Sequence, residues 1–299
     1  MRDVPAHTSV EAEIHPAAIV SPQARLGRGV KIGPWCLVGP EVVLQDNVRL
    51  HASVVVEGRT RLEEGVEVYP FSTIGLPPQD LKYAGEPTEC VIGAGTVLRE
   101  GVTVHRGTAQ GHGLTRVGRD CLIMANAHVA HDCTVGDGVI IVNNVVMGGH
   151  VTIGPMARIM GAAAVHQFVR IGTGAVVGGV CGVERDVIPY GSVLGNRARL
   201  VGLNWVGLKR SGADGREVQD MRRAFRLLYP RGAEDGQVLG ERLRLVRKRY
   251  GHLHRVAEML AFMEAPSRRG LTPSAGRDLP DHVFPVDAAN AFGEEPPAS

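Results

Sequence analysis

Aromatic residues are scarce in this chain, with two Trp, five Tyr and six Phe among 299 residues. A core of stacked rings is therefore excluded, and any large interior must be assembled from small and branched aliphatic side chains. Long apolar runs are missing as well. No stretch of about 18 uninterrupted apolar residues occurs, and none follows the start MRDVPAHTSVEAEIHP, so neither a membrane span nor a signal peptide is expected. The expected location is the cytoplasm. Neither charge sign dominates: 33 basic residues face 31 acidic ones, for a formal charge of +2. That balance argues against a polycation for nucleic acid or membrane surfaces, and no nucleic-acid partner is expected.

What the chain does have is glycine, 39 in all, and a period of six. Stepping by six from Ile14 gives Val20, Leu26, Ile32, Val38, Leu44, Leu50, Val56, Leu62, Val68 and Ile74. The register resumes at Ile92, Leu98 and Val104, slips by one, and runs from Val117 through Ile123, Val129, Val135, Ile141, Met147, Ile153, Ile159, Val165, Ile171 and Val177 to Val183. Two residues before these positions the side chain is small or Val, as at Ala18, Ala24, Val30, Cys36, Ala157 and Ala163. No helix has this period. It predicts a left-handed parallel β-helix of triangular coils, about 18 residues per turn, with one aliphatic side chain filling the interior at each hexad. Cys36, Cys90, Cys121, Cys133 and Cys181 all fall on the small inward position, so they read as buried apolar residues rather than a disulfide frame, a zinc site or a nucleophile.

Two excursions interrupt the repeat, at 75–91 and 105–116, and departures from a regular scaffold are where function tends to sit. The β-helix is expected over residues 1–202. From there the period changes: Gly215 to Tyr229, Glu234 to Tyr250 and His252 to Glu264 show apolar spacings of three and four, predicting an α-helical C-terminal domain over 203–265. Pro, Ser, Gly and acidic residues dominate 266–299, predicting a disordered tail.

Four histidines, His128, His131, His150 and His166, fall on the later coils. Positions 18 apart stack at roughly the 4.8 Å spacing of paired strands, which sets Asp132 beside His150, Gly149 beside His131 and Gly148 beside His166. A histidine next to a glycine N–H suits a general base beside an oxyanion donor, and so acyl transfer. Two histidines three residues apart with a third one coil away also suit zinc, and this alternative stays open at the level of spacing.

The segments QDLKYAGEPT (79–88), TVHRGT (103–108), NAHVAHDCTVG (126–136), GGHVTIG (148–154), AVHQF (164–168) and GLKR (207–210) together resemble the UDP-N-acetylglucosamine O-acyltransferase family, over about residues 12–265. The resemblance implies a homotrimer with active sites in clefts between β-helices, an acyl carrier protein bearing a 3-hydroxyacyl thioester as donor, UDP-N-acetylglucosamine as acceptor, and neither metal nor other cofactor. It implies that His131 is the general base, Asp132 its orienting partner and Gly149 the oxyanion donor. His128, His150, Asp80 and Lys82 would hold the glucosamine and the thioester. His166, Gln167 and Asn204 would meet the nucleotide, Arg210 a phosphate, and Gly161 and Gly179 would line the acyl groove. The chain departs from that pattern at Val206, where the family often has an acid, at Ser211, where it has a second arginine, and at Arg197, where it has a histidine. Beyond about Gly270 it has no counterpart. Basic residues on the second domain (Arg222, Arg223 and Arg226; Arg242, Arg244, Arg247, Lys248 and Arg249) suit an acidic carrier protein by charge alone.

Overall fold

The computed structural model describes residues 11–230 and 238–275. Among the described residues, three sheets of 11, 9 and 8 strands form the faces of a triangular left-handed prism. The chain visits them in rotation through parallel pairings until Gly191–Leu194 and Arg199–Leu203, which close the first sheet as an antiparallel pair. Most strands are two residues long. Each pairs with the strand one coil away, as in Glu13↔Lys31, His128↔Val146 and Thr134↔Thr152, all 18 apart. Across the excursions the step lengthens, to 30 at Glu67↔Val97 and 25 at Cys90↔Thr115, without disturbing the ladder.

The hexad aliphatics fill the interior. From Ile32 to Val183 every one is at most 3% exposed, and the five cysteines are buried and unbridged among them. Each such burial contributes roughly 1.5–3 kcal/mol. Ile14 is 44% exposed, in the first described coil, with no described coil beneath it. At the corners the chain turns through left-handed backbone. Asp132 (φ 58°), His150 (φ 62°) and Phe168 (φ 67°) adopt it without being glycine, stacked 18 residues apart on the corner between the second and third sheets.

Among the described residues, four helices follow the prism: α1 (Trp205–Arg210), α2 (Gly215–Leu228), α3 (Leu239–Tyr250) and α4 (His254–Glu264). α1 is an addition to the sequence expectation, and residues 234–237 of the expected middle helix lie outside the described residues. Asp214 caps α2 by accepting from the Glu217 N–H at 2.7 Å, and Val218, Met221, Ala224 and Leu228 form its buried stripe. The Tyr190 hydroxyl donates to Glu258 at 2.5 Å and ties α4 to the last coil.

The expectation of disorder from residue 266 needs correction. Gly270–Ala275 returns to the prism, where the Asp186 N–H donates to Gly270 O (2.9 Å), Thr272 N–H to Asp186 O (2.8 Å), Leu200 N–H to Pro273 O (2.9 Å) and Ala275 N–H to Leu200 O (2.9 Å). The last coil has no following strand to satisfy its backbone groups, and this segment supplies one. Residues 276–299 lie outside the described residues. No described helix is long and apolar enough to cross a membrane.

Candidate active site

Strands only two residues long are committed to the ladder, so side chains free for chemistry collect at the corners. The corner between the second and third sheets gathers His131 and Asp132, then Gly149 and His150 one coil on, then His166, Gln167 and Phe168. Both excursions leave from this same edge.

Asp132 anchors the group. Its side chain is wholly buried, and its carboxylate accepts from the Thr108 N–H (3.1 Å to each oxygen), the Thr108 hydroxyl (2.7 Å), the His112 N–H (2.8 Å) and His131 Nδ1 (2.8 Å). Burial pushes the carboxyl pKa up, but the donors from Thr108, His131 and His112 outweigh it and hold the group below its ordinary value. With an ionised carboxylate as its neighbour, His131 Nδ1 carries the proton, which leaves a lone pair on Nε2. The side chain is 15% exposed, and among the described residues no hydrogen bond engages Nε2.

Gly149 gives the ring its room. A Cβ there would lie 2.5 Å from Cε1 and 2.6 Å from Nε2 of His131. Its N–H meets no acceptor among the described residues. At two equivalent corners, each one residue before a left-handed turn, the matching amide binds an anionic oxygen from the next coil. Arg28 N–H donates to Asp46 at 2.9 Å and Arg119 N–H to Asp137 at 2.8 Å. At Gly149 the next coil offers Gln167 instead, and the amide is left without that carboxylate partner.

His150, His128 and His105 are each pushed toward the neutral form. His150 lies flat on Phe168 (4.5 Å, 8°), edge-on to His131 (5.1 Å), with Nε2 4.0 Å from Asp132. Burial lowers its pKa first of all; Asp132 opposes this, and His131, His112 and Arg268 add to the lowering. His128 Nδ1 bonds the Thr103 hydroxyl at 2.6 Å, and burial, then His131, lower its pKa. Behind it stands His105, rings 4.8 Å apart, its Nδ1 buried without a partner and its pKa pushed down to about 4 by burial and by its histidine neighbours.

Among the described residues, His131, Asp132 and His150 form one group with ligand atoms within 4.8 Å, as a metal would require. The donor set does not suit one. Both Asp132 oxygens already accept from Thr108, and His112 and His131 add further donors, so an ion would have to displace bonds that hold the second excursion in place.

The remaining expected residues are dispersed. Asp80 and Lys82 lie in the first excursion, where the Asp80 carboxylate accepts from the Lys82 N–H at 3.0 Å. Gly161 and Gly179 stack on the corner between the first and second sheets, and nothing lies within 3.4 Å of a Cβ built on either. Asn204 and Arg210 sit at the third corner. Asn204 caps α1 by accepting from Gly207 N–H and donates to Gly174 O, both at 2.9 Å, and Arg210 lies close enough to Arg158 to lower the latter's pKa, after burial. His166 and Gln167 are exposed on the histidine edge. Of the first basic cluster, Arg222 covers Trp205 at 4.8 Å, Arg223 pairs with Asp220 at 3.0 Å and Arg226 is exposed. Sequence reasoning left Thr103, His105, Thr108, His112 and Phe168 out of the site; Phe168 had a positional signal, one more step of 18 beyond His150, and Thr103, His105 and Thr108 lie within the TVHRGT segment that carries the resemblance.

Comparison with known proteins places these features in context. Residues 186–272 match the family model for UDP N-acetylglucosamine O-acyltransferase, domain 2, and residues 114–149 match the bacterial transferase hexapeptide of six repeats. The chain is 43% identical over 267 residues to an acyl-(acyl-carrier-protein) UDP-N-acetylglucosamine O-acyltransferase of Rhizobium johnstonii, covering 89% of this chain and 97% of that one. It is 41% identical over 270 residues to the protein of the same name from Agrobacterium fabrum, covering 90% and 98%. A crystal structure of UDP-N-acetylglucosamine acyltransferase superposes with a TM-score of 0.83 at 35% identity, covering 88% of this chain and all of that one.

Proposed function

The chain belongs to the UDP-N-acetylglucosamine O-acyltransferase family, and from that premise we propose that it moves a 3-hydroxyacyl group from acyl carrier protein to the 3-hydroxyl of the glucosamine of UDP-N-acetylglucosamine, opening lipid A biosynthesis. The observation that carries this reading is the free Nε2 of an Asp132-bound His131 beside an unengaged Gly149 amide.

His131 Nε2 removes the proton of the sugar 3-hydroxyl as its oxygen attacks the thioester carbonyl. The Asp132 carboxylate, 2.8 Å from Nδ1, stabilises the resulting imidazolium. Negative charge on the tetrahedral oxygen is met by the Gly149 N–H. Collapse breaks the carbon–sulfur bond, the departing thiolate takes the proton from Nε2, and the products are the sugar ester and the free carrier thiol. His128 and His150, neutral near pH 7, donate or accept hydrogen bonds to the sugar and thioester, together with Asp80 and Lys82. His166, Gln167 and Asn204 meet the nucleotide, Arg210 a phosphate, and the bare stack of Gly161 and Gly179 receives the acyl chain.

These residues occupy three different corners of one prism, which supports assembly as a homotrimer with sites shared between neighbours. The corner bearing Gly161 and Gly179 also exposes Trp35, Phe71 and Val180, each 70–72% accessible, as an edge facing another subunit would. Soluble substrates and the lack of a membrane-crossing helix among the described residues support a cytoplasmic enzyme.

The test is mass spectrometry of the product formed from carrier-bound 3-hydroxyacyl donors and UDP-N-acetylglucosamine. His131→Ala should lower turnover by about 10²-fold or more while sedimentation still reports a trimer. Near-normal turnover in that variant would remove His131 from the mechanism.

A further inference from the structure

Arg268 and Arg269 have no part in the reaction as derived, yet both lie on the histidine edge. They sit at the start of the segment that runs from α4 back to the prism. Ser267 Oγ accepts from the N–H groups of Arg269 (3.0 Å) and Gly270 (2.8 Å), turning the chain there, and Gly270 adopts φ 68°. Beyond the turn, backbone bonds to Asp186 and Leu200 fasten the segment, and the Thr272 hydroxyl donates to Arg185 O at 3.1 Å. The strap is thus anchored without either arginine side chain.

Those side chains reach the site instead. Arg269 donates from Nε to the Gln167 carbonyl at 2.8 Å and from a terminal nitrogen to the His166 ring. Arg268 covers the Phe168 ring at 4.5 Å, and Phe168 in turn lies flat on His150. Among the described residues neither arginine forms an ion pair, although ion pairs are frequent elsewhere on the prism. Two guanidinium groups without an ion pair among the described residues therefore border the corner whose His166 and Gln167 are assigned above to the nucleotide. Each guanidinium has five N–H donors. Arg269 spends part of its fork on His166 and Gln167, and the rest is available to an oxyanion.

We propose that this strap is a binding element for the sugar nucleotide, in which Arg269 orients the His166–Gln167 corner and offers its remaining donors to the diphosphate, while Arg268 closes the end of the Phe168–His150 stack. The proposal rests on the acceptor being UDP-N-acetylglucosamine, as inferred above. Arg268 is a positioning residue: it touches Phe168, not the reacting atoms.

Calorimetric titration of the intact protein with UDP-N-acetylglucosamine tests this, alongside steady-state kinetics. For Arg269→Ala the dissociation constant and the KM for the sugar nucleotide should rise by about tenfold or more, with kcat and the KM for the acyl carrier protein donor within about twofold of the parent. Arg269→Lys, which keeps the charge but not the fork, should recover part of the loss. Arg268→Ala should change kcat more than nucleotide binding. Thr272→Ala, which loosens the strap without touching the site, should lower the melting temperature more than it weakens binding. Should Arg269→Ala prove unstable, Arg269→Gln decides the matter, because it can still donate to the Gln167 carbonyl while lacking the charge. Unchanged nucleotide affinity in the folded Arg269 variant overturns the proposal. A parent protein that binds the nucleotide but transfers nothing overturns the reaction and leaves the strap standing; one that binds no nucleotide overturns both.

Discussion

Gly149→Ala is the most incisive single perturbation of the proposed site, because it adds one carbon and leaves the backbone N–H in place. Gly149 is not in the left-handed region, so alanine fits its backbone. The new Cβ, however, would lie 2.5 Å from His131 Cε1 and 2.6 Å from Nε2. Carbon–carbon contacts are comfortable at about 3.5 Å or more, so the ring must retreat by about 1 Å. It cannot retreat freely, since Nδ1 is tied to a carboxylate that four further hydrogen bonds hold fixed. Either the base shifts with respect to the sugar hydroxyl or its bond to Asp132 breaks. Misplacement by about 1 Å costs roughly 10²-fold in rate, or about 2.7 kcal/mol of transition-state stabilisation. The assay is kcat at saturating donor and acceptor, with thermal unfolding in parallel and Gly202→Ala, whose Cβ would meet nothing within 4 Å, as the steric control. If Gly149→Ala keeps more than half of the parent turnover with an unchanged melting temperature, the ring is not where catalysis needs it, and the reasoning from its seat fails.

Asp132→Asn replaces an acceptor for donors from Thr108, His112 and His131 by a group that also donates; turnover should fall by about 10²-fold or more and urea unfolding should show a loss of about 1–3 kcal/mol. Acid should weaken the fold through His105. A histidine whose folded pKa is about 4 binds fewer protons than its unfolded counterpart between that value and 6.5, so its contribution, up to about 3 kcal/mol, is complete above pH 6.5 and lost as pH falls toward 4. The lowered values of His128 and His150 act in the same direction. Urea titrations from pH 7 to 4.5 should therefore show a shallower pH slope for His105→Gln than for the parent, and identical slopes would exclude His105 as a source.

Much of the fold was legible because the interior demands the same thing every six residues. The 26 aliphatic positions needed no tertiary information, and the step of 18 then placed Asp132, His150, Gly149 and His131 together by counting. Counting fails where the register breaks. Thr108 and His112 reach Asp132 from inside the second excursion, where no period connects sequence separation to distance. Phe168 lay within reach of the count, but an aromatic there gives no acid–base signal. α1 spans six residues, too few for a helical period to show. The strap was misjudged because its composition resembles disorder, while the reason it orders is remote: unpaired backbone groups on Asp186 and Leu200. Local composition has no access to that demand.

The placement of every excursion on one edge follows from the same geometry. A residue inserted within a strand would turn each later side chain of that coil from inside to outside, exposing aliphatics and burying polar groups. At a corner the ladder is interrupted anyway, and the lengthened steps of 30 and 25 show that extra residues pass there without shifting the pairing on either side. Chemistry can therefore be installed only along the three edges, and groups that must touch must share an edge at intervals of 18. His131, Asp132, Gly149, His150 and Phe168 meet that condition, and the second excursion and the C-terminal strap converge on them. Gly161 and Gly179 share a second edge, and Asn204 and Arg210 a third. A rigid prism cannot fold its own edges together, so the base proposed on one edge and the acyl groove proposed on another would serve the same substrate only with a second prism alongside, which is what the proposed trimer supplies.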